Sequence, residues 1–91
     1  MDEPFRNLNF TETFLSSFGS RTFTTADRAA IRKALRLLDA NERHPSLRVH
    51  GLQGDLAGLW SVSASASLRL TFIRAEQGRK TMLTCTKHYA N

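Results

Sequence analysis

The side chains able to move protons or grip phosphate gather in the second half of this chain. Two of its three histidines, His50 and His88, fall there, and His88 stands between Lys87 and Tyr89. An imidazole with a pKa near ~6.5 takes or gives a proton at neutral pH, so two of them are a minimal kit for general acid/base chemistry. Ten of the thirteen basic residues are arginine, whose planar fork binds two phosphate oxygens at once. Arg48 and Arg69 share the histidine-bearing half, with Arg48 and Lys87 as phosphate contacts and Tyr89 as a ring for a splayed base. Each has a plainer reading as well. Arg69 suits a surface salt bridge, His50 a polar strand face, Tyr89 a packing residue, and His88 a terminal position without a partner. His44, just before Pro45, reads as a surface loop residue. Cys85 is the single cysteine, inside a β-branched stretch with nothing nearby to stabilise a thiolate, and reads as a small buried residue. One cysteine and three scattered histidines give no zinc spacing.

Charge points to the same half. Residues 1–46 hold seven basic and six acidic side chains, a net of +1, whereas residues 47–91 hold six basic and two acidic ones, a net of +4. A basic surface is the usual footprint of a polyanion partner, although many basic proteins bind none. Ninety-one residues with 41% apolar content suit one globular domain with a modest core. No apolar run approaches the ~18–20 residues that span a bilayer. The acidic start Met1-Asp2-Glu3-Pro4 argues against a secretory signal, and a lone cysteine fits a reducing cytoplasm.

Several elements must position these groups. Alternation over 5–10 predicts a short first strand, and Phe14, Leu15 and Phe18 predict a helix over 11–18 that Gly19 stops. The clearest element is a helix over 25–40. Thr24 caps it with Asp27 three residues on, and Ile31, Ala34, Leu35 and Leu38 form its buried stripe. Arg28, Arg32 and Arg36 recur at intervals of four on another face. Such a ridge is either solvated or a contact for an acidic partner or phosphate backbone. Strands follow over 47–52, 59–64, 68–74 and 81–86, with turns at 63–67 and 76–78 and Trp60 in the core. The order β-α-α-β-β-β-β predicts an α+β fold, an antiparallel sheet mixed at one edge with both helices on one face. Its open face would carry Arg48, His50, Arg69 and the chain's last residues.

Two segments in that sheet resemble a known family. Gly51-Leu52-Gln53-Gly54-Asp55-Leu56-Ala57-Gly58-Leu59-Trp60-Ser61, followed by Leu68-Arg69-Leu70-Thr71-Phe72, is similar to the core signature of the RelE/ParE toxin superfamily, nearest its YoeB, YafQ and HigB branches. The ending Thr84-Cys85-Thr86-Lys87-His88-Tyr89 resembles the histidine-tyrosine tail of YoeB toxins. The resemblance covers roughly residues 44–89; the helical half matches by pattern alone.

The resemblance implies a cytoplasmic toxin with a RelE-like fold, held by a cognate antitoxin, that enters the ribosome and cuts messenger RNA without metal or other cofactor. The ribose 2′-hydroxyl attacks the adjacent phosphate, which requires a base, a cation for the pentavalent phosphorane and an acid for the leaving oxygen. By position Arg69 matches the catalytic arginine, His88 the terminal histidine, and His50 the place where YoeB has a glutamate base and YafQ a histidine. The sequence departs from the pattern in three ways. Val62-Ser63-Ala64-Ser65 supplies none of the arginines that YoeB toxins carry after the tryptophan-serine pair. Ser67 and Leu68 stand where charged or polar residues commonly precede the catalytic arginine, and the RelE lysine cluster is missing. Phosphorane stabilisation would then rest on Arg69, aided by Arg48 or Lys87. Two alternatives are a ParE-like gyrase inhibitor without nuclease chemistry and a catalytically weakened antitoxin-binding module.

Overall fold

Helix α2 (Thr25–Ala40) is the element whose local sequence specifies it most completely. The Thr24 hydroxyl accepts from the Asp27 amide at 3.0 Å and the Asp27 carboxylate accepts from the Thr24 amide at 2.9 Å, a full capping box. Its stripe of Ile31, Ala34, Leu35 and Leu38 is buried. Helix α1 (Glu12–Phe18) is capped by Thr11 and buries Phe14 completely. A computed structural model describes residues 5–87. In it both helices cover one face of a five-stranded sheet, α1 against β5 and α2 against β4. The strands are β1 (Leu8–Phe10), β2 (His50–Gly51), β3 (Trp60–Ser63), β4 (Leu68–Arg74) and β5 (Lys80–Lys87), in spatial order β1-β5-β4-β3-β2. Among the described residues, only the edge pair β1 and β5 is parallel, as the mixed edge anticipated. No helix among the described residues is long and apolar enough to cross a membrane.

β4 sets the two faces of the sheet. Leu68, Leu70 and Phe72 are 0–1% exposed beneath the helices, and Arg69, Thr71 and Ile73 alternate onto the other side. In β5 strict alternation fails, because Met82 and Cys85 are both buried although three residues apart. A bulge resolves this: Thr71 pairs with Thr84 but Phe72 pairs with Met82, so Leu83 is the extra residue and both buried side chains face the helices.

The predicted strand over 47–52 shrinks to His50–Gly51. Pro45–Leu47 is instead a single 3₁₀ turn that His44 caps by accepting from the Ser46 amide, and it sends Leu47 into the core. Arg48 then takes a left-handed conformation (φ 47°, ψ 45°) that no strand residue can hold. Proline fixes the first turn, and the buried Leu47 side chain drives the rest.

Charged side chains lock these layers together. Arg28 donates to the Phe18 carbonyl at 2.9 Å and the Ser20 carbonyl at 2.7 Å, stapling α2 to the end of α1, and Arg32 lies over the Phe18 ring at 5.2 Å. The predicted arginine ridge is therefore not one solvated face, because its first two members turn back onto their own fold. At the far end of α2, Glu42 takes a two-pronged bond from Arg74 (3.1 and 2.8 Å) and a contact from the buried Lys80 at 3.1 Å. Arg74 also covers the Trp60 ring at 4.1 Å, and Trp60 stacks on Phe72. The Arg79 guanidinium holds Asn9 and the Arg6 and Leu8 carbonyls, fastening edge strand β1.

Two predictions follow from these clamps. Arg74, then Lys80, hold the Glu42 carboxyl at about 2, below its ordinary 4.5. A carboxyl depressed on folding stabilises the native state above its unfolded pKa, and that contribution is lost as pH falls from 4.5 towards 2. Acid titration should change Trp60 fluorescence within that window. Glu42→Gln should remove the transition and cost about 1–2 kcal/mol at neutral pH, a figure reduced for partial exposure. Arg28→Ala should lower the urea midpoint by about 1–2 kcal/mol equivalent, since two carbonyls lose a charged donor. An unchanged midpoint would show that the staple contributes nothing.

Candidate active site on the open sheet face

The face away from the helices carries a row of polar side chains in register. His50 pairs with Ser61, Ser61 with Thr71, and Thr71 with Thr84, so these four residues cross the sheet from β2 to β5. The Thr71 and Thr84 hydroxyls bond at 2.6 Å. The next row is Ser63, Arg69 and Thr86. His50 and Arg69 thus stand on the same face, two strands apart and two residues along. Sheet spacing puts roughly 12 Å between their backbones.

His50 is exposed and its orientation is set by the turn before it. Its Nδ1 lies 2.8 Å from the Arg48 carbonyl oxygen. A carbonyl only accepts, so Nδ1 carries the hydrogen, and Nε2 of the neutral ring keeps its lone pair for an incoming proton. The left-handed backbone at Arg48 aims that carbonyl. Sequence reading assigned Arg48 to the strand and missed this orienting role. A charged residue just after Ser-Leu in a proline-initiated turn was the only signal available.

Arg69 is held by the β3–β4 hairpin. Its Nη1 donates to the carbonyls of Ser65 (2.7 Å), Leu68 (3.0 Å) and Ala66 (3.3 Å). Among the described residues, Nη2 and Nε make no such contact, so one edge of the guanidinium is anchored and the other is available to an anion. The small-residue stretch after Trp60 does more than turn the chain, because its carbonyls orient this arginine.

The remaining candidates separate. Lys87 is not on the open face. It pairs with Leu68 on the helix side, and its Nζ lies 2.8 Å from Asp27 at the start of α2. That bond is the main reason the Asp27 carboxyl titrates below its ordinary range. The Arg48 side chain leaves the sheet with its turn and lines a groove of about 710 Å³ between α2, the 45–47 turn and the hairpin, together with Lys33 and Arg69. Lys33 was not singled out from sequence. Its one sign was its place beside Ala34, on the edge of the buried stripe. Arg36 is exposed. His88 and Tyr89 lie outside the described residues. Cys85 is buried, and desolvation pushes its thiol up to about 11, which rules out a thiolate at neutral pH.

No family profile matches the sequence, and no curated protein matches it either. Solved structures do. The YoeB/ParE toxin from Agrobacterium tumefaciens superposes with a TM-score of 0.72 at 23% identity, over 92% of this chain and 100% of that one. YafQ from E. coli gives 0.72 at 13% identity, over 90% and 92% of the two chains. The YoeB-YefM complex from Staphylococcus aureus gives 0.63 at 17% identity, over 91% and 97%. This chain therefore shares the fold of these RelE/ParE-type structures.

Proposed function

We propose that this chain is the toxin of a type II toxin-antitoxin pair and a metal-independent endoribonuclease that cuts messenger RNA on the ribosome in the cytoplasm. The carrying observation is the pairing of a correctly oriented base with a phosphate-gripping cation on one open face. The Nδ1 bond to the Arg48 carbonyl sets the tautomer of the neutral His50 ring so that Nε2 carries the lone pair, and Arg69, on the same side of the sheet by register, has a guanidinium edge with no partner among the described residues. Between them the half-buried Thr71 and Thr84 supply hydroxyls suited to ribose and phosphate oxygens, with the buried Ser61 beside them.

In the proposed reaction His50 Nε2 takes the proton of a ribose 2′-hydroxyl, whose oxygen then attacks the adjacent phosphorus. Arg69 binds the non-bridging oxygens as the phosphorane forms, where charge accumulates and a fixed guanidinium acts most strongly. His88, as an imidazolium, protonates the departing 5′-oxygen. The products are a 2′,3′-cyclic phosphate and a free 5′-hydroxyl. Two of the three similar structures cited are named as a toxin or a complex with YefM, and an antitoxin partner for this chain is part of the proposal.

Induced expression should arrest growth and leave codon-phased 5′-hydroxyl ends in translated messages. His50→Ala, Arg69→Ala and His88→Ala should each lower cleavage by about 10²–10⁴-fold. Growth arrest that survives both Arg69→Ala and His88→Ala would remove the catalytic assignment. Intact messages with broken chromosomal DNA would point instead to a gyrase poison.

A further inference from the structure

His44 takes no part in the proposed reaction, yet it closes the turn that aims His50. Pro45–Leu47 is a single 3₁₀ turn whose first residue, a proline, has no amide hydrogen. Its two remaining amides both end on His44. The Ser46 N–H donates to the His44 ring at Nδ1 (3.3 Å), and the Leu47 N–H donates to the His44 carbonyl (3.1 Å). The Ser46 hydroxyl lies 2.8 Å from the same Nδ1. A ring nitrogen accepts an amide hydrogen only through its lone pair, so His44 is neutral here and carries its hydrogen on Nε2. The neutral His50 ring has the opposite tautomer, because its Nδ1 gives a hydrogen to the Arg48 carbonyl at 2.8 Å.

The stretch joining the two imidazoles has little freedom. Leu47 is 1% exposed, which pins the turn to the core. Arg48 follows at a φ of 47°, a conformation that costs a non-glycine residue free energy and persists where its surroundings impose it. Those surroundings are the capped turn before it and the pairing of His50 with Ser61 after it. An extended Arg48 would turn its carbonyl elsewhere, and His50 would lose the partner that fixes its tautomer. We propose, on the ribonuclease reading above, that His44 is a positioning residue for the base. Its neutral ring caps the Ser46 amide, which keeps Arg48 left-handed and leaves His50 Nε2 open to a proton. Protonation of His44 releases the turn, because Nδ1 becomes a donor that meets the Ser46 amide hydrogen head-on. The recess beside the ring, about 260 Å³, offers a charged imidazole little compensation. Glu42, Arg43, Arg48 and Trp60 line it, with Pro45 and Val49. Glu42 is already bonded to Arg74 from β4 and Lys80 from β5, and Arg74 lies over Trp60.

The test reads the His50 ring directly. The full chain carrying His88→Ala can be produced without growth arrest and keeps His44 and His50 as its only histidines. Long-range proton–nitrogen correlation spectra at neutral pH then report which nitrogen of each ring holds the hydrogen. The expected result is Nε2–H for His44 and Nδ1–H for His50. His44→Ala should abolish the His50 preference, and His44→Asn, whose amide oxygen also caps, should restore it. With His88 present, single-turnover cleavage of messenger on programmed ribosomes should be about tenfold slower in His44→Ala at an unchanged half-saturating concentration, and near wild type in His44→Asn. Below neutrality the wild-type rate should fall more steeply than the about tenfold per pH unit of one protonation, whereas His44→Asn should show that single slope. A His50 tautomer indifferent to His44→Ala would overturn the proposal, as would equal slopes in wild type and His44→Asn. A tautomer that follows His44 in a chain that cuts no RNA keeps the positioning contact and loses the ribonuclease reading.

Discussion

Every functional placement in this protein depends on β4 being buried on one face only. Leu68, Leu70 and Phe72 can reach the helices in one register alone, and a slip of one residue would bury Arg69, Thr71 and Ile73 instead. Burying an unpaired guanidinium costs far more than any ladder bond returns, so the core fixes which way Arg69 points. The neighbouring strands inherit that choice through pairing: Ser61 and His50 follow Thr71 onto the open face, and Trp60 follows Phe72 towards the helices. The bulge at Leu83 keeps the choice consistent through β5, where Met82 and Cys85 would otherwise oppose each other. The polar open face is therefore a by-product of hydrophobic packing.

The arginine-rich composition has two separate uses. Arg28, Arg74 and Arg79 bridge separate elements, each reaching carbonyls or a carboxylate on another segment. A small domain buries a limited core, and long side chains that combine an apolar stem with several donors extend it. Arg74 shows the combination clearly, lying over Trp60 while bonding Glu42. The net positive charge thus overstates how much of the surface awaits a polyanion.

Much of this was readable from residue order. The α2 capping box, its stripe and the two faces of β4 follow from periodicity, because each depends on residues close in sequence or on simple alternation, and the mixed edge from the order of the elements. The joint placement of His50 and Arg69 was readable for the same reason, although β2 proved far shorter than the alternation of Leu47, Val49 and Gly51 indicated. What periodicity could not carry was the destination of long charged side chains. Arg28 and Arg32 spaced four apart look like a solvent ridge, and only the return of Phe18 beneath them shows otherwise. Lys87 looked like a phosphate ligand until Asp27, sixty residues earlier, took its ammonium. These are long-range electrostatic choices, made once the backbone is already in place.

The same displacement explains the character of the open face. With Lys87 drawn to α2 and the Arg48 side chain carried off by its left-handed turn, the rows through His50 and Arg69 hold a single guanidinium among serine and threonine hydroxyls. In the proposed reaction that guanidinium meets the phosphorane with hydroxyl donors rather than a second cation. A hydroxyl contributes a weaker, neutral hydrogen bond than an ammonium does. Such a face discriminates less between ground state and transition state, so positioning must supply more of the acceleration. Both reacting side chains are accordingly tethered through backbone carbonyls, His50 by one from Arg48 and Arg69 by three from the hairpin. Carbonyl tethers fix a donor's direction without adding a counter-charge that would compete with phosphate, which is what a site with only one arginine requires.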